Sequence, residues 1–161
     1  MSHNHWETQP RKSNGEFTYR HHSNFMKNII EQTNKKCKAG VDELISRGGS
    51  YGNLRTITAG KSSFEIHHMP AASVSALTKW KGPCIIMLKQ DHKRTGSYGN
   101  TAKAARYRRW QAKLISEGKF LEAQKMDITN ISRQFGNKYN NAIREKLDYE
   151  FQLIKDGVIN G

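Results

Sequence analysis

Apolar residues recur along this chain with two different periods, and the change from one to the other divides it. From Ser23 a helical spacing begins, with Phe25, Met26, Ile29 and Ile30 as its stripe, and it predicts a helix to about Asn34. Val41, Leu44 and Ile45 predict a second, short helix stopped by Gly48-Gly49. The period then shortens. Leu54 to Thr58 alternates as a short strand would, and Ser63 to Met69 reads as another that ends where Pro70 has no amide hydrogen to offer a ladder. The segment Ala71 to Gly82 is small and polar apart from Val74, Leu77 and Trp80, with room for one helical turn. Pro83 to Leu88 is a continuous apolar run, the mark of a buried strand.

Helical spacing returns after it. A short helix is expected over Gln90 to Arg94, then a longer one from Thr101 to Ser116 with Tyr107, Trp110 and Leu114 in its core and Gly118 as its break. Phe120, Ile128, Ile131 and Phe135 mark a further helix ended by Gly136. Tyr139, Ile143, Leu147, Phe151 and Ile154 mark the last. The expected fold class is α+β: a hairpin with a long connection, a short helix after it, and additional N- and C-terminal helices. Residues 1–20 carry no sustained period and are expected to be poorly ordered, residues 21–59 to form a helical extension, and residues 60–161 the core of one domain. Ser50-Tyr51-Gly52-Asn53 recurs as Ser97-Tyr98-Gly99-Asn100, and both copies read as turns.

Charge narrows the partners. Lys and Arg number 27 against 14 Asp and Glu, a net charge of +13 with a pI near 9.9, which favours a polyanion over an acidic small molecule. No apolar run is long enough to span a bilayer and no secretory signal is evident, so neither membrane insertion nor an address is expected. With Cys37 and Cys84 as the only cysteines, a zinc knuckle lacks ligands, and a buried thiol at Cys84 is expected ahead of a disulfide.

Candidate chemistry collects between Ser63 and Asn100. His67-His68 ends one predicted strand, an apolar return strand follows, and His92 lies on the next helix. Hydrolysis of a phosphodiester calls for a divalent cation at the phosphate, a neutral imidazole to take a proton from water, and a basic surface for the backbone. Imidazoles and carboxylates that could hold the cation, a further imidazole and basic residues are all present in this span. A second pair, His21-His22, has no return strand after it and reads as the solvated start of a helix, while His3 and His5 lie too near the terminus to count.

Glu65-Ile66-His67-His68-Met69-Pro70, with Gln90-Asp91-His92-Lys93-Arg94-Thr95 and Ser97-Tyr98-Gly99, resembles the His-His nuclease toxin domains of bacterial polymorphic toxins. These belong with the HNH and colicin-type endonucleases of ββα-metal fold, and the likeness covers roughly residues 60 to 155. It implies a metal-dependent DNA endonuclease of little sequence specificity. His68 would be the general base, and His67 and His92 would be ligands of one divalent ion, Mg²⁺ first and Mn²⁺, Ni²⁺ or Zn²⁺ as alternatives. Where the colicin pattern has a second helix histidine this chain has Gly96, so Asp91, Glu65 or water is left for the third position. Strand alternation also puts His67 and His68 on opposite faces unless the strand distorts near Pro70.

Lys93, Arg94, Lys103, Arg106, Arg108, Arg109 and Lys113 form the expected nucleic-acid surface. A toxin domain implies an immunity protein as cognate partner, and action in the cytoplasm of a target bacterial cell after delivery. A non-catalytic nucleic-acid-binding module and an RNase are the competing expectations from charge and histidine content.

Overall fold

The computed structural model describes residues 31, 35 and 38–159. The helix expected from Ser23, the start of the chain, His21-His22 and Cys37 lie outside the described residues. Three strands form an antiparallel sheet: β1 (Gly48–Ser50), β2 (Phe64–His68) and β3 (Pro83–Leu88), in the order β1-β3-β2. The apolar run takes the centre because only there are both faces covered. Residues 83–87 are all buried, with Cys84 and Ile86 packing on Tyr51 and Leu54 and the alternate residues Ile85 and Met87 turned to the other face. Cys84 is a free, buried thiol. His67 pairs with Ile85 and His68 with Cys84.

Helix α1 (Tyr51–Thr58) stands where a strand from Leu54 was expected. Two local effects outweigh the alternation. Ser50 caps the helix by accepting from the Asn53 amide at 3.3 Å, and a helical turn brings Tyr51 and Leu54 onto one buried face. The first copy of the Ser-Tyr-Gly-Asn repeat is thus a helix start, while the second lies in turn and bend structure. The short helix expected from Val41, Leu44 and Ile45 is present and ends at Ile45, and Gly48 and Gly49 lie just past its end, where they also form β1. A Cβ at Gly48 would lie 2.0 Å from the Ala142 carbonyl oxygen, so only glycine admits that approach.

After β3 come α2 (Lys89–His92), α3 (Ala102–Ser116), α4 (Phe120–Phe135) and α5 (Asn140–Lys155). Thr101 caps α3 through the Ala104 amide, and Gly118 and Gly136, both at positive φ, follow α3 and α4 as expected. The buried stripes, however, differ from the expected ones. Trp110 is 54% exposed and Phe151 67% exposed, while Gln111, Lys146 and Glu150 are buried.

A polar layer explains the shift. Asp127 accepts from the Tyr107 hydroxyl at 2.9 Å and from Gln111 at 2.7 Å, and Gln111 accepts from the Ala71 amide. Lys146 lies 3.1 Å from Glu150, which also accepts from Gln124. Hydropathy alone does not find such positions. Among the described residues no helix is long and apolar enough to cross a membrane.

Candidate active site

Among the described residues β2 is an edge strand, bonded only to β3. Side chains from both of its faces therefore reach the same free edge, where a cleft of about 410 Å³ is lined by His67, His68, His92, Tyr98, Asn100 and Arg108, among others. His67 and His68 do lie on opposite faces of β2, as alternation requires, and both nonetheless line this cleft. The strand ends at His68, and the peptide bond between Met69 and Pro70 is cis.

His68 turns toward α1. Its ring stacks on Tyr51 with centroids 4.9 Å apart, and Nε2 lies 3.1 Å from the carbonyl oxygen of Lys79. A carbonyl can only accept, so Nε2 carries the proton and Nδ1 keeps its lone pair. Burial lowers the His68 pKa, with the Lys79 carbonyl pulling the other way and nearby Lys79 and His92 adding to the depression. At neutral pH the ring is an uncharged base. Gly82 allows this close fit, since a Cβ there would come 2.7 Å from the ring.

His67 and Glu65 project from the opposite face toward α2. His92 donates from Nδ1 to Glu65 at 2.7 Å, an acceptor that fixes the tautomer and leaves Nε2 available. The His67 and His92 rings meet edge to face at 4.9 Å. His67 is buried, its pKa is held well below the ordinary value first by desolvation and then by His92, His68 and Lys146, and its Nε2 has no hydrogen-bond partner. Buried polar atoms are ordinarily hydrogen-bonded, so this nitrogen is unusual, and an unprotonated imidazole nitrogen is chemically able to donate to a metal ion.

The donor set fits two imidazoles and no more. Glu65 is committed to His92, with Lys89 3.7 Å from its other oxygen. Asp91 points elsewhere: its carboxylate accepts from Lys138 and Tyr139, both at 2.6 Å. Burial tends to raise its pKa, but these two hydrogen bonds and the charges of Lys138 and Arg94 bring it below the ordinary value. Neither acid stands as a third ligand, and among the described residues no group of three or more His, Cys, Asp or Glu side chains is arranged around a metal position. Any ion held by His67 and His92 would complete its shell with substrate and water oxygens.

The basic residues separate into groups. Arg108 spends one guanidinium nitrogen on the Ser97 and Gly99 carbonyls, at 2.6 and 2.8 Å, and so holds the turn that sets Tyr98 edge-on to His92 at 4.9 Å. Arg106, Arg109 and Lys113 line a shallow hollow around Trp110 on α3. Lys93 and Lys103 are exposed, and Arg94 lies over the Phe135 ring. Sequence reasoning passed over Tyr51, Lys79, Tyr98 and Gly82. The repeated Ser-Tyr-Gly-Asn was the one signal that could have found both tyrosines, since each copy sets its tyrosine against a histidine of the cleft. A second hollow of about 670 Å³ shares Ile66 and His92 with the first and adds Arg55 and Lys61. Comparisons with protein-family models, with curated proteins and with solved structures find no match.

Proposed function

We propose that this chain is a metal-dependent endonuclease that hydrolyses phosphodiester bonds of DNA with little sequence preference, using a ββα-metal arrangement of β2, β3 and α2. One observation carries the reading: three histidines line one cleft, and protein acceptors fix the tautomers of two of them, the Lys79 carbonyl for His68 and Glu65 for His92. Such second partners select which nitrogen is left for chemistry.

The roles follow from those spare nitrogens. His68 Nδ1 takes the proton of the attacking water, a task for which an uncharged imidazole is suited. Stacking on Tyr51 keeps its ring in place. His67 and His92 would hold one divalent ion, Mg²⁺ in the cell, with Mn²⁺, Ni²⁺ or Zn²⁺ suited to imidazole donors. Bound there, it would neutralise charge on the phosphate and assist departure of the leaving oxygen. The net charge of +13 supports a polyanionic substrate.

In this reading the chain is the toxic domain of a bacterial antagonism system, acting in the cytoplasm of the target cell. Its partner would be an immunity protein acidic enough to cover the cleft. Plasmid cleavage by the purified chain with Mg²⁺, its loss in chelator and its loss in His68→Ala test the activity. Growth arrest on expression, relieved by an adjacent gene, tests the role, and harmless expression of an active enzyme contradicts it.

A further inference from the structure

Beside His68 the chain exposes an indole that its fold takes trouble to hold still. Lys79–Lys81 is a single 3₁₀ turn of sequence Lys-Trp-Lys, and Trp80 is 61% exposed. An isolated apolar residue at a surface is unremarked in most proteins. This one sits on backbone pinned at three neighbouring carbonyls. Lys79 accepts from His68, Lys81 accepts from the Tyr149 hydroxyl at 2.9 Å, and Gly82 accepts from the Tyr51 amide at 3.0 Å. Tyr51 joins the indole to the cleft, stacked on His68 on one side and meeting Trp80 edge to face at 5.6 Å on the other. Lys79 lies over the Tyr51 ring at 4.9 Å. Among the described residues neither Lys79 nor Lys81 is ion-paired.

We infer that Trp80, flanked by Lys79 and Lys81, is a stacking subsite for an unpaired nucleobase next to the phosphodiester that His68 faces. The inference rests on the reading of the substrate as DNA and goes beyond it by naming the form preferred, single strands and unpaired segments over closed duplex. A base inside a duplex is stacked on its neighbours and offers its face only when unstacked, whereas a single strand offers every base. Rigid support lowers the ordering cost of binding, because the indole is already held where the base must arrive. Lys79 and Lys81, the sequence neighbours of Trp80 and without an ion pair among the described residues, suit the phosphates that flank a stacked base. An acidic protein surface would also meet lysines, but it gains no particular advantage from a planar face open beside the histidines.

The test compares the full chain with Trp80→Ala and Trp80→Phe in chelator, measuring anisotropy of a labelled single-stranded DNA oligonucleotide and of a blunt duplex of the same sequence. Thermal melts check that both variants are folded. Trp80→Ala should weaken single-strand binding by roughly 5- to 100-fold, leave duplex binding within about twofold, and be largely rescued in Trp80→Phe. With Mg²⁺ restored, cleavage of the single strand should fall with the same ordering. Undiminished single-strand binding by Trp80→Ala overturns the inference while leaving the nuclease reading intact. Equal losses on both DNAs overturn it too, since a stacking site discriminates between them. A wild-type chain that neither binds nor cleaves DNA removes the nuclease reading and this inference together.

Discussion

His68 has one ring nitrogen committed to a backbone carbonyl, so the account of this site depends on the other. Replacing His68 by alanine should cost about 10²- to 10⁴-fold in cleavage rate with the fold unchanged by circular dichroism. Its depressed pKa fixes the direction of the pH profile. The active form is neutral, so at saturating metal the rate should hold as pH falls to 6.5 and decline only below it. An acid limb centred above 6.5 would contradict that environment. Glu65 accepts from His92 Nδ1 and so orients that ring. Glu65→Gln should therefore lower affinity for Mn²⁺ or Zn²⁺ by about 10- to 100-fold in calorimetric titration, and unchanged affinity would remove its orienting role.

At the level of elements, the tightest fit is β1 against α5. Gly48→Ala places a methyl group into the Ala142 carbonyl, and the variant should lose about 1–3 kcal/mol or more in denaturant melts. No polar pattern announces such a contact: Gly48-Gly49 reads as a helix stop, and a helix does end at Ile45, but the packing on α5 is not legible. Elements defined by their own residues were legible: β3 from its unbroken apolar run, β2 up to Pro70, and the ends of α3 and α4 from Thr101, Gly118 and Gly136. Those decided by partners were not. Leu54 to Thr58 alternates, yet the Ser50 cap and packing on Cys84 and Ile86 make it helical. On α5 the buried face is turned from Leu147 and Phe151 to Lys146 and Glu150, which hydropathy assigns to solvent. The histidines of the site were legible as residues and in order. Their sharing of one cleft was not, because it depends on β2 lying at the edge of the sheet.

Across the whole molecule, buried charge and the open cleft lie on the same small fold. Asp127, in contact with Tyr107 and Gln111 and near Lys146, has its pKa raised from 3.8 to about 7, with burial outweighing those three favourable partners. Its protonated form is favoured by folding, so its contribution to stability is present below pH 3.8 and is lost as pH rises through about 7. Asp127→Asn should flatten that part of the stability–pH curve relative to wild type, read by urea melts across the window, and parallel curves would contradict the assignment. Away from this layer, the cleft at the edge of β2 joins His67, His68 and His92. The most direct test of its proposed chemistry is plasmid cleavage by the wild-type chain and His68→Ala, each with Mg²⁺ and with chelator. Wild type should nick and linearise plasmid with metal and not with chelator, and the folded variant should do so about 10²- to 10⁴-fold more slowly. Cleavage that survives chelation, or that His68→Ala carries out at the wild-type rate, would contradict that chemistry.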